Sequence, residues 1–477
     1  MQNYYQFLIP RLNGESVRKD FARHFAFVKK GIAGFIVFGG RLEELRKYLR
    51  RLQEESALPL IIASDLERGL GQQVRGGTLF PPAMALAKAA IKGRTGTGYD
   101  LPLLRKTFTA LAGEAAYAGI NTIFAPVLDI NTNPKNPIIA TRAFGENEKT
   151  VSLLGLEMIR TLQENGIAAC GKHFPGHGDT EVDSHIRLPV VSRGFNDLKN
   201  NELKPFKKAI ARGVRMIMLG HLSVPALDRS GLPVSISKTA VQFLRKDLNY
   251  GGTVITDAMN MGGIGNYTEQ EASFMALDAG VDLVLHPTSA EKVVSYLKVK
   301  KKEFTVDRIE NLRGSLLRFP VGDMPPFDTN KKLSEALTGK AITSSSRFSL
   351  QRPLLLVILN DEEDEKGAAL AGCLKRGIRD LRLRTISRTS KRKIHSLPEN
   401  VSVVVAIFSE TKGWKGGAGG WLYQALSGLE KKAELFISFG SPYLLDGIKD
   451  TAKISAYWDS EYAQEAVARI MLKKYKS

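Results

Sequence analysis

Cysteine is nearly absent: Cys170 and Cys373 are the only two among 477 residues, which excludes a disulfide framework. Long apolar runs are missing as well. None approaches the roughly 20 residues needed to cross a bilayer, so no transmembrane segment is expected. The amino terminus, Met1 to Pro10, has neither the basic region nor the long apolar stretch of a secretory signal, and a cytoplasmic location is the expectation that follows. No internal repeat or long low-complexity tract is evident. Charge is unbalanced, with 68 Lys and Arg against 49 Asp and Glu and a formal net charge of +19. Much of the excess falls in Lys375-Arg376, Arg379, Arg382, Arg384, Arg388 and Lys391-Arg392-Lys393, where no aromatic side chains are interleaved for base stacking. This basic character is read as solvated surface, and no nucleic-acid partner is expected; an acidic polymer or a membrane surface remains open.

What is present is ample apolar material, 43% of the chain, enough for one large core and a smaller one. Continuous apolar or β-branched runs of strand length occur at Gly34 to Phe38, Leu60 to Ala63, Thr122 to Leu128, Ile167 to Gly171, Arg215 to Leu219, Thr253 to Thr256 and Val281 to Leu285. Such runs fit parallel strands buried on both faces. Amphipathic helices are predicted between them at Arg41 to Ser56, Leu101 to Gly119, Glu146 to Asn165, Phe195 to Gly213 and Thr268 to Gly280. Seven strands alternating with helices over about 290 residues predict an α/β fold, a (β/α)8 TIM-like barrel rather than an open sheet.

From Phe319 to Leu350 the pattern breaks at Pro320, Pro325, Pro326 and Thr343-Ser344-Ser345-Ser346, with one short helix around Lys332 to Leu337. Four further strands are predicted at Arg352 to Leu359, Val401 to Phe408, Glu434 to Phe439 and Lys453 to Tyr457. The expected organisation is a catalytic barrel over 1–320, a linker over 321–350 and a smaller α/β sandwich domain over 351–477. The glycine run Lys415 to Gly420 lacks the Lys-Ser/Thr ending and the spacing of a nucleotide cradle.

Three of the seven histidines fall in Gly171-Lys172-His173-Phe174-Pro175-Gly176-His177-Gly178-Asp179-Thr180-Glu181-Val182-Asp183-Ser184-His185, directly after an apolar run. That placement predicts a strand end opening into a working loop. His173 and His177 have the spacing of two zinc ligands on a helix, but Pro175 and Gly176 between them disfavour a helix, and no metal is expected. Asp183 and His185 are two apart; in a bent loop the carboxylate can bond one ring nitrogen while the other faces a substrate, making a general acid/base pair. The bland alternative is that these groups only bond loop backbone. His221 and His286 are read as buried histidines satisfied by loop carbonyls, and Asp129 as a group holding a neighbouring loop or Arg142. Asp65, Asp129, Lys172, His173, His221, Asp257 and His286 all sit at or just past predicted strand ends, on one rim of a barrel.

The run Lys172 to His185 resembles the signature of family 3 glycoside hydrolases, and its His185 ending is the form seen in the β-N-acetylglucosaminidase branch. Thr253-Val254-Ile255-Thr256-Asp257-Ala258-Met259-Asn260-Met261 is similar to the family's nucleophile segment. Ser64-Asp65-Leu66-Glu67-Arg68-Gly69 and Thr141-Arg142-Ala143-Phe144-Gly145-Glu146 fit two more of its blocks, and the likeness covers about the first 320 residues. Glu67 and Arg68 depart from the family's more usual glutamate-glycine-glycine pattern, which puts aglycone preference in doubt.

The resemblance implies a retaining exo-β-N-acetylglucosaminidase, a β-N-acetylhexosaminidase acting on terminal β-linked GlcNAc. Asp257 would be the nucleophile, Asp183 and His185 the acid/base dyad, and Asp65, Arg142, Lys172 and His173 the groups that hold the sugar. A GlcNAc-containing saccharide or a muropeptide from peptidoglycan recycling is the expected substrate, with no cofactor. The alternatives are a β-glucosidase or β-xylosidase of the same family, a GlcNAc phosphorylase, and a non-catalytic sugar- or polyanion-binding protein.

Overall fold

In the computed structural model, nine short strands hydrogen-bond in one all-parallel sheet. They are β1 (Leu8–Ile9), β2 (Arg11–Asn13), β3 (Gly34–Phe38), β4 (Ile61–Ser64), β5 (Thr122–Ile123), β6 (Ala168–Phe174), β7 (Met216–Leu219), β8 (Thr253–Ala258) and β9 (Leu283–Leu285). The structure describes residues 2–93, 98–318, 324–345, 348–388, 398–410, 415 and 417–475; Phe319, Pro320, Ser346, Lys391-Arg392-Lys393 and Gly416 lie outside them.

β1 and β2 are one segment interrupted at Pro10, which has no N–H to give to a ladder. β1 pairs with β9 and β2 with β3, both in parallel, so this segment closes the sheet on itself as the eighth stave of a (β/α)8 barrel. The Ile9 carbonyl accepts from the His286 N–H at 2.8 Å and the Pro10 carbonyl from the Ile36 N–H at 3.0 Å. The predicted run Thr122 to Leu128 is regular strand over Thr122–Ile123, and Pro126 again lacks a donor; beyond it the Ala125 and Pro126 carbonyls still accept from the Cys170 and Lys172 N–H groups, and Val127 bridges Lys172. β6 runs further than expected, through Phe174, carrying Lys172 and His173 on the strand itself.

Helices Leu42–Glu55, Leu101–Ala118, Glu148–Glu164 and Glu269–Ala279 return the chain between strands where the apolar periodicity placed them. Local capping fixes two of them. The Asn147 side chain accepts from the Thr150 N–H, and Thr268 and Glu271 form a reciprocal capping box. The single helix expected over Phe195 to Gly213 is two, Phe195–Asn200 and Leu203–Ala211.

The second sheet has strands β10 (Thr343–Ser344), β11 (Leu354–Asn360), β12 (Leu381–Ser387), β13 (Ser402–Ser409), β14 (Leu435–Gly440) and β15 (Ala452–Ser455), ordered β10-β15-β14-β13-β11-β12. All neighbours are parallel except β10 and β15. Leu355, Val357, Val405, Ile407 and Phe436 on one face form a core with Leu422, Leu426 and Leu429 of helix Gly420–Leu429. β12 was not expected. Among the described residues it pairs only with β11, and its Arg382 and Thr385 are exposed, so its sequence looks like that of a solvated edge strand. A helix over Phe327–Ala341 spans more than the short one anticipated around Lys332.

Two compact units result. One holds Met1–Phe80, Leu101–Asn136 and Ala143–Lys331, and the other holds Lys332–Ser477 together with two excursions of the chain, Pro81–Asp100 and Pro137–Arg142.

Leu12 of β2 is fully buried, so Leu12→Ala removes core volume from the segment that closes the barrel. The expected loss is about 2–5 kcal/mol by urea unfolding; a loss well under 1 kcal/mol would contradict a closed barrel at β2.

Candidate active site

Because every barrel strand runs the same way, each strand's carboxyl end reaches one rim. Asp65 follows β4, Lys172 and His173 end β6, His221 follows β7, Asp257 lies near the end of β8 and His286 follows β9. Polar side chains separated by more than 200 residues of sequence are thereby collected.

Lys172 is nearly inaccessible, yet it carries an ammonium. It is satisfied by two carboxylates, Asp65 Oδ1 at 2.8 Å and Glu67 Oε1 at 2.7 Å. The Asp65 side chain remains partly open to solvent while that of Glu67 is buried, so Glu67 holds the lysine and Asp65 keeps accessible surface. Sequence reasoning noted Glu67 only as a departure from a pattern; its place two residues past Asp65 at a strand end was the available signal. Arg68 donates through Nε to the Phe80 carbonyl at 3.3 Å.

Asp129 is fully buried and accepts from the backbone N–H of His173 and of His177 and pairs with His173 Nδ1 at 2.7 Å. Burial alone would raise its carboxyl pKa, but the His173 and His177 groups outweigh burial and hold it below the usual carboxylate range. Asp129 therefore holds the loop, one of the two roles foreseen for it. His177 is buried too, with Nδ1 at 2.7 Å from Thr180 Oγ1 and Nε2 at 3.0 Å from Ser184 Oγ. The spacing that invited a zinc reading thus serves loop construction. Among the described residues no group of three or more His, Cys, Asp or Glu is placed to hold a metal ion.

The same loop turns tightly at Asp183, whose carbonyl accepts from the N–H of Ile186 and Arg187. Asp183 Oδ1 accepts from the His185 N–H at 2.9 Å and meets His185 Nδ1 at 2.8 Å. Asp183 is buried and the His185 ring about a third exposed, so the carboxylate orients an imidazole that solvent or substrate can reach. The loop after β8 pins this turn from the other side. Gly262 N–H donates to the His185 carbonyl at 3.1 Å and Gly263 N–H to the Ser184 carbonyl at 2.9 Å. Both positions require glycine: a Cβ on Gly262 would stand 2.4 Å from the Ile186 carbonyl oxygen, and one on Gly263 would stand 2.7 Å from His221 Cβ.

Asp257, five residues before Gly262, is half-buried and accepts from the Ala258 N–H at 2.8 Å. Burial pushes its carboxyl up, but His173, His221 and His185, with the Ala258 N–H, more than offset that and keep it ionised below the usual range. His221 is buried between Ser235 Oγ and the Ala258 carbonyl, as a satisfied histidine beside the Asp257 peptide. His286, with burial drawing its pKa down to about 4, rests near the Phe38 ring.

The barrel unit thus brings Asp65, Lys172, His173, Asp183, His185 and Asp257 to one rim. Arg142 lies on the turn Ala140–Arg142, where its Nη1 donates to the Ile138 carbonyl at 3.0 Å; this segment groups with the second unit.

Residues 14–318 match the model of the glycosyl hydrolase family 3 N-terminal domain. The chain belongs to glycosyl hydrolase family 3. Every site residue named above falls within the family-3 match. The chain is 37% identical over 250 residues to beta-hexosaminidase A of Pseudoalteromonas piscicida, covering 49% of this chain and 41% of that protein. It therefore spans about two fifths of that relative's length. It is 32% identical over 296 residues to a beta-hexosaminidase of Nitrosomonas eutropha, covering 59% of this chain and 82% of the other. Among solved structures, a family 3 beta-N-acetylglucosaminidase from a Paenibacillus species superposes with a TM-score of 0.81 at 27% identity, over 99% of this chain and 96% of that one.

Burial, partly opposed by Asp129, lowers the His177 pKa from 6.5 to about 4. Between these values the unfolded chain takes up a proton that the folded family-3 barrel refuses, so stability is lost as pH falls from about 6.5 towards 4. The contribution is on the order of 3 kcal/mol. Urea midpoints should fall over that window, and His177→Gln should flatten the His177 share of the slope. An NMR titration showing His177 protonated near pH 6 would contradict this.

Proposed function

We propose that the chain is a retaining exo-β-N-acetylglucosaminidase, and that GlcNAc-terminated fragments of bacterial cell wall are its substrates. The observation that carries the reading is the Asp183–His185 pair, hydrogen-bonded and pinned by Gly262 and Gly263 of the loop that follows Asp257. The naming of the family-3 relatives as hexosaminidases supports the acetamido sugar. The cell-wall origin rests on the sequence resemblance alone.

Retention requires a nucleophile on one face of the anomeric carbon and a proton donor at the leaving oxygen. Asp257 is ionised, held on a strand end and braced by the Ala258 N–H, so an Oδ lone pair attacks C1 with little reorganisation. With Nδ1 directed at Asp183, the transferable proton of His185 sits on Nε2 and passes to the glycosidic oxygen as the C1–O bond breaks. Neutral His185 then takes a proton from water, whose oxygen displaces Asp257 from C1 and regenerates both groups. Asp65 accepts sugar hydroxyls while Lys172, locked by Glu67, donates to them.

Asp257→Ala should abolish turnover of activated and unactivated N-acetylglucosaminides alike, because no leaving group replaces a missing covalent intermediate. His185→Ala should lower hydrolysis of a GlcNAc disaccharide by roughly 10²–10⁴-fold while sparing the first step with a dinitrophenyl glycoside, whose leaving group needs no proton. Equal losses on both substrates would make His185 a binding residue. Asp183→Asn should act as a milder His185→Ala. Failure of the wild-type chain to cleave any nitrophenyl N-acetylglucosaminide would overturn the enzyme reading.

A further inference from the structure

The opposite rim of the barrel holds a cavity. It lies at the amino ends of β7 and β8, has a volume of about 420 Å³, and is lined among others by Arg215, Asn249, Thr253, Arg308, Asn311 and Ser315. Thr253 and Asp257 stand at opposite ends of β8, roughly 13 Å apart along the strand, so this cavity is separate from the acid/base rim.

Its charge is one-sided. No Asp or Glu lines it among the described residues, whereas two arginines do. Arg308 Nε bonds Asp282 Oδ1 at 2.8 Å, and the other oxygen of the same buried carboxylate already accepts from Arg245 Nη2 and from the Val254 N–H. Arg215 has no such partner. Its Nη1 is buried without an acceptor among the described residues, and its backbone groups are used elsewhere, the N–H on Gln163 Oε1 and the carbonyl on the Thr253 N–H. Burial lowers the Arg215 guanidinium below its ordinary value with no carboxylate to offset it. A half-buried guanidinium with no carboxylate beside it is costly, and the cost falls when an oxyanion accepts from those of its N–H groups that face the cavity.

We propose that this cavity is an anion site that takes a phosphate group, free or as a small phosphomonoester. Arg215 supplies the fork, Arg308 a second positive charge, and Asn249 and Asn311 line the same cavity. The volume exceeds a bare phosphate and is within the range of small-molecule sites. Binding here needs no turnover and is independent of the hydrolase reading.

The test is calorimetric titration of the full chain, at constant ionic strength, with inorganic phosphate and separately with glycerol 3-phosphate. The wild-type protein should bind one equivalent, with the tighter of the two probes identifying the source of the phosphate group. Arg215→Gln should bind about tenfold more weakly or not at all, consistent with loss of one charge-assisted contact. Its thermal midpoint in phosphate-free buffer should not drop, since no partner is lost. Ser315→Asp, which places a carboxylate in the cavity without touching Arg215, should also abolish binding. No binding of either probe to the wild-type chain, or binding left unchanged by both substitutions, would overturn the proposal.

Discussion

A fully buried carboxylate, Asp129, is the constraint on which the candidate site depends. A charge with no access to water must find its hydrogen bonds inside the protein, and Asp129 finds them in the N–H groups of His173 and His177 and in the His173 ring. Satisfying Asp129 fixes the end of β6 and the start of the loop that follows. From there the order is passed on by short contacts: His177 Nε2 meets Ser184 Oγ, the Ser184 carbonyl accepts from Gly263, and Asp183 and His185 flank Ser184. The loop bearing Asp183 and His185 is therefore fastened at both ends, to β6 through Asp129 and to the Asp257 loop through the two glycines.

Burial sorts the histidines of one short run into different chemistries. His177, fully enclosed with both ring nitrogens engaged, is kept neutral and serves as a structural post. His185 has one nitrogen held by Asp183 and about a third of its ring exposed, the combination a proton shuttle requires. Asp257 gains from the same arrangement, because the His173, His221 and His185 rings around it favour its ionised form against the burial that opposes it. Lys172 between Asp65 and Glu67 applies the same rule to a cation: it can be buried because two carboxylates stand against its ammonium.

The family-3 barrel was legible in sequence because parallel strands buried on both faces write themselves as unbroken apolar runs, and caps such as Asn147 and Thr268 mark where helices begin. The eighth stave was not, since Leu8 to Asn13 is cut by Pro10 into pieces too short to show periodicity. Nor was β12, whose Leu-Arg-Leu-Arg alternation is that of an edge open to solvent. The dense motif exposed Asp183, His185, Lys172 and His173. Glu67, Gly262 and Gly263 went unrecognised for a common reason: each bonds a partner more than 70 residues away in sequence, and local position, such as that of Glu67 two residues past Asp65, does not name the partner.

The central claim is that Asp257 and His185 divide one retaining mechanism between them, and the accumulated intermediate tests it most directly. In His185→Ala, a dinitrophenyl N-acetylglucosaminide can still glycosylate the enzyme, but the base that activates water is gone, so the covalent species should build up. Mass spectrometry of peptides from the quenched variant should find the sugar attached to the peptide bearing Asp257. Finding no adduct while the product forms, or finding it on another carboxylate such as Asp65, would contradict the account.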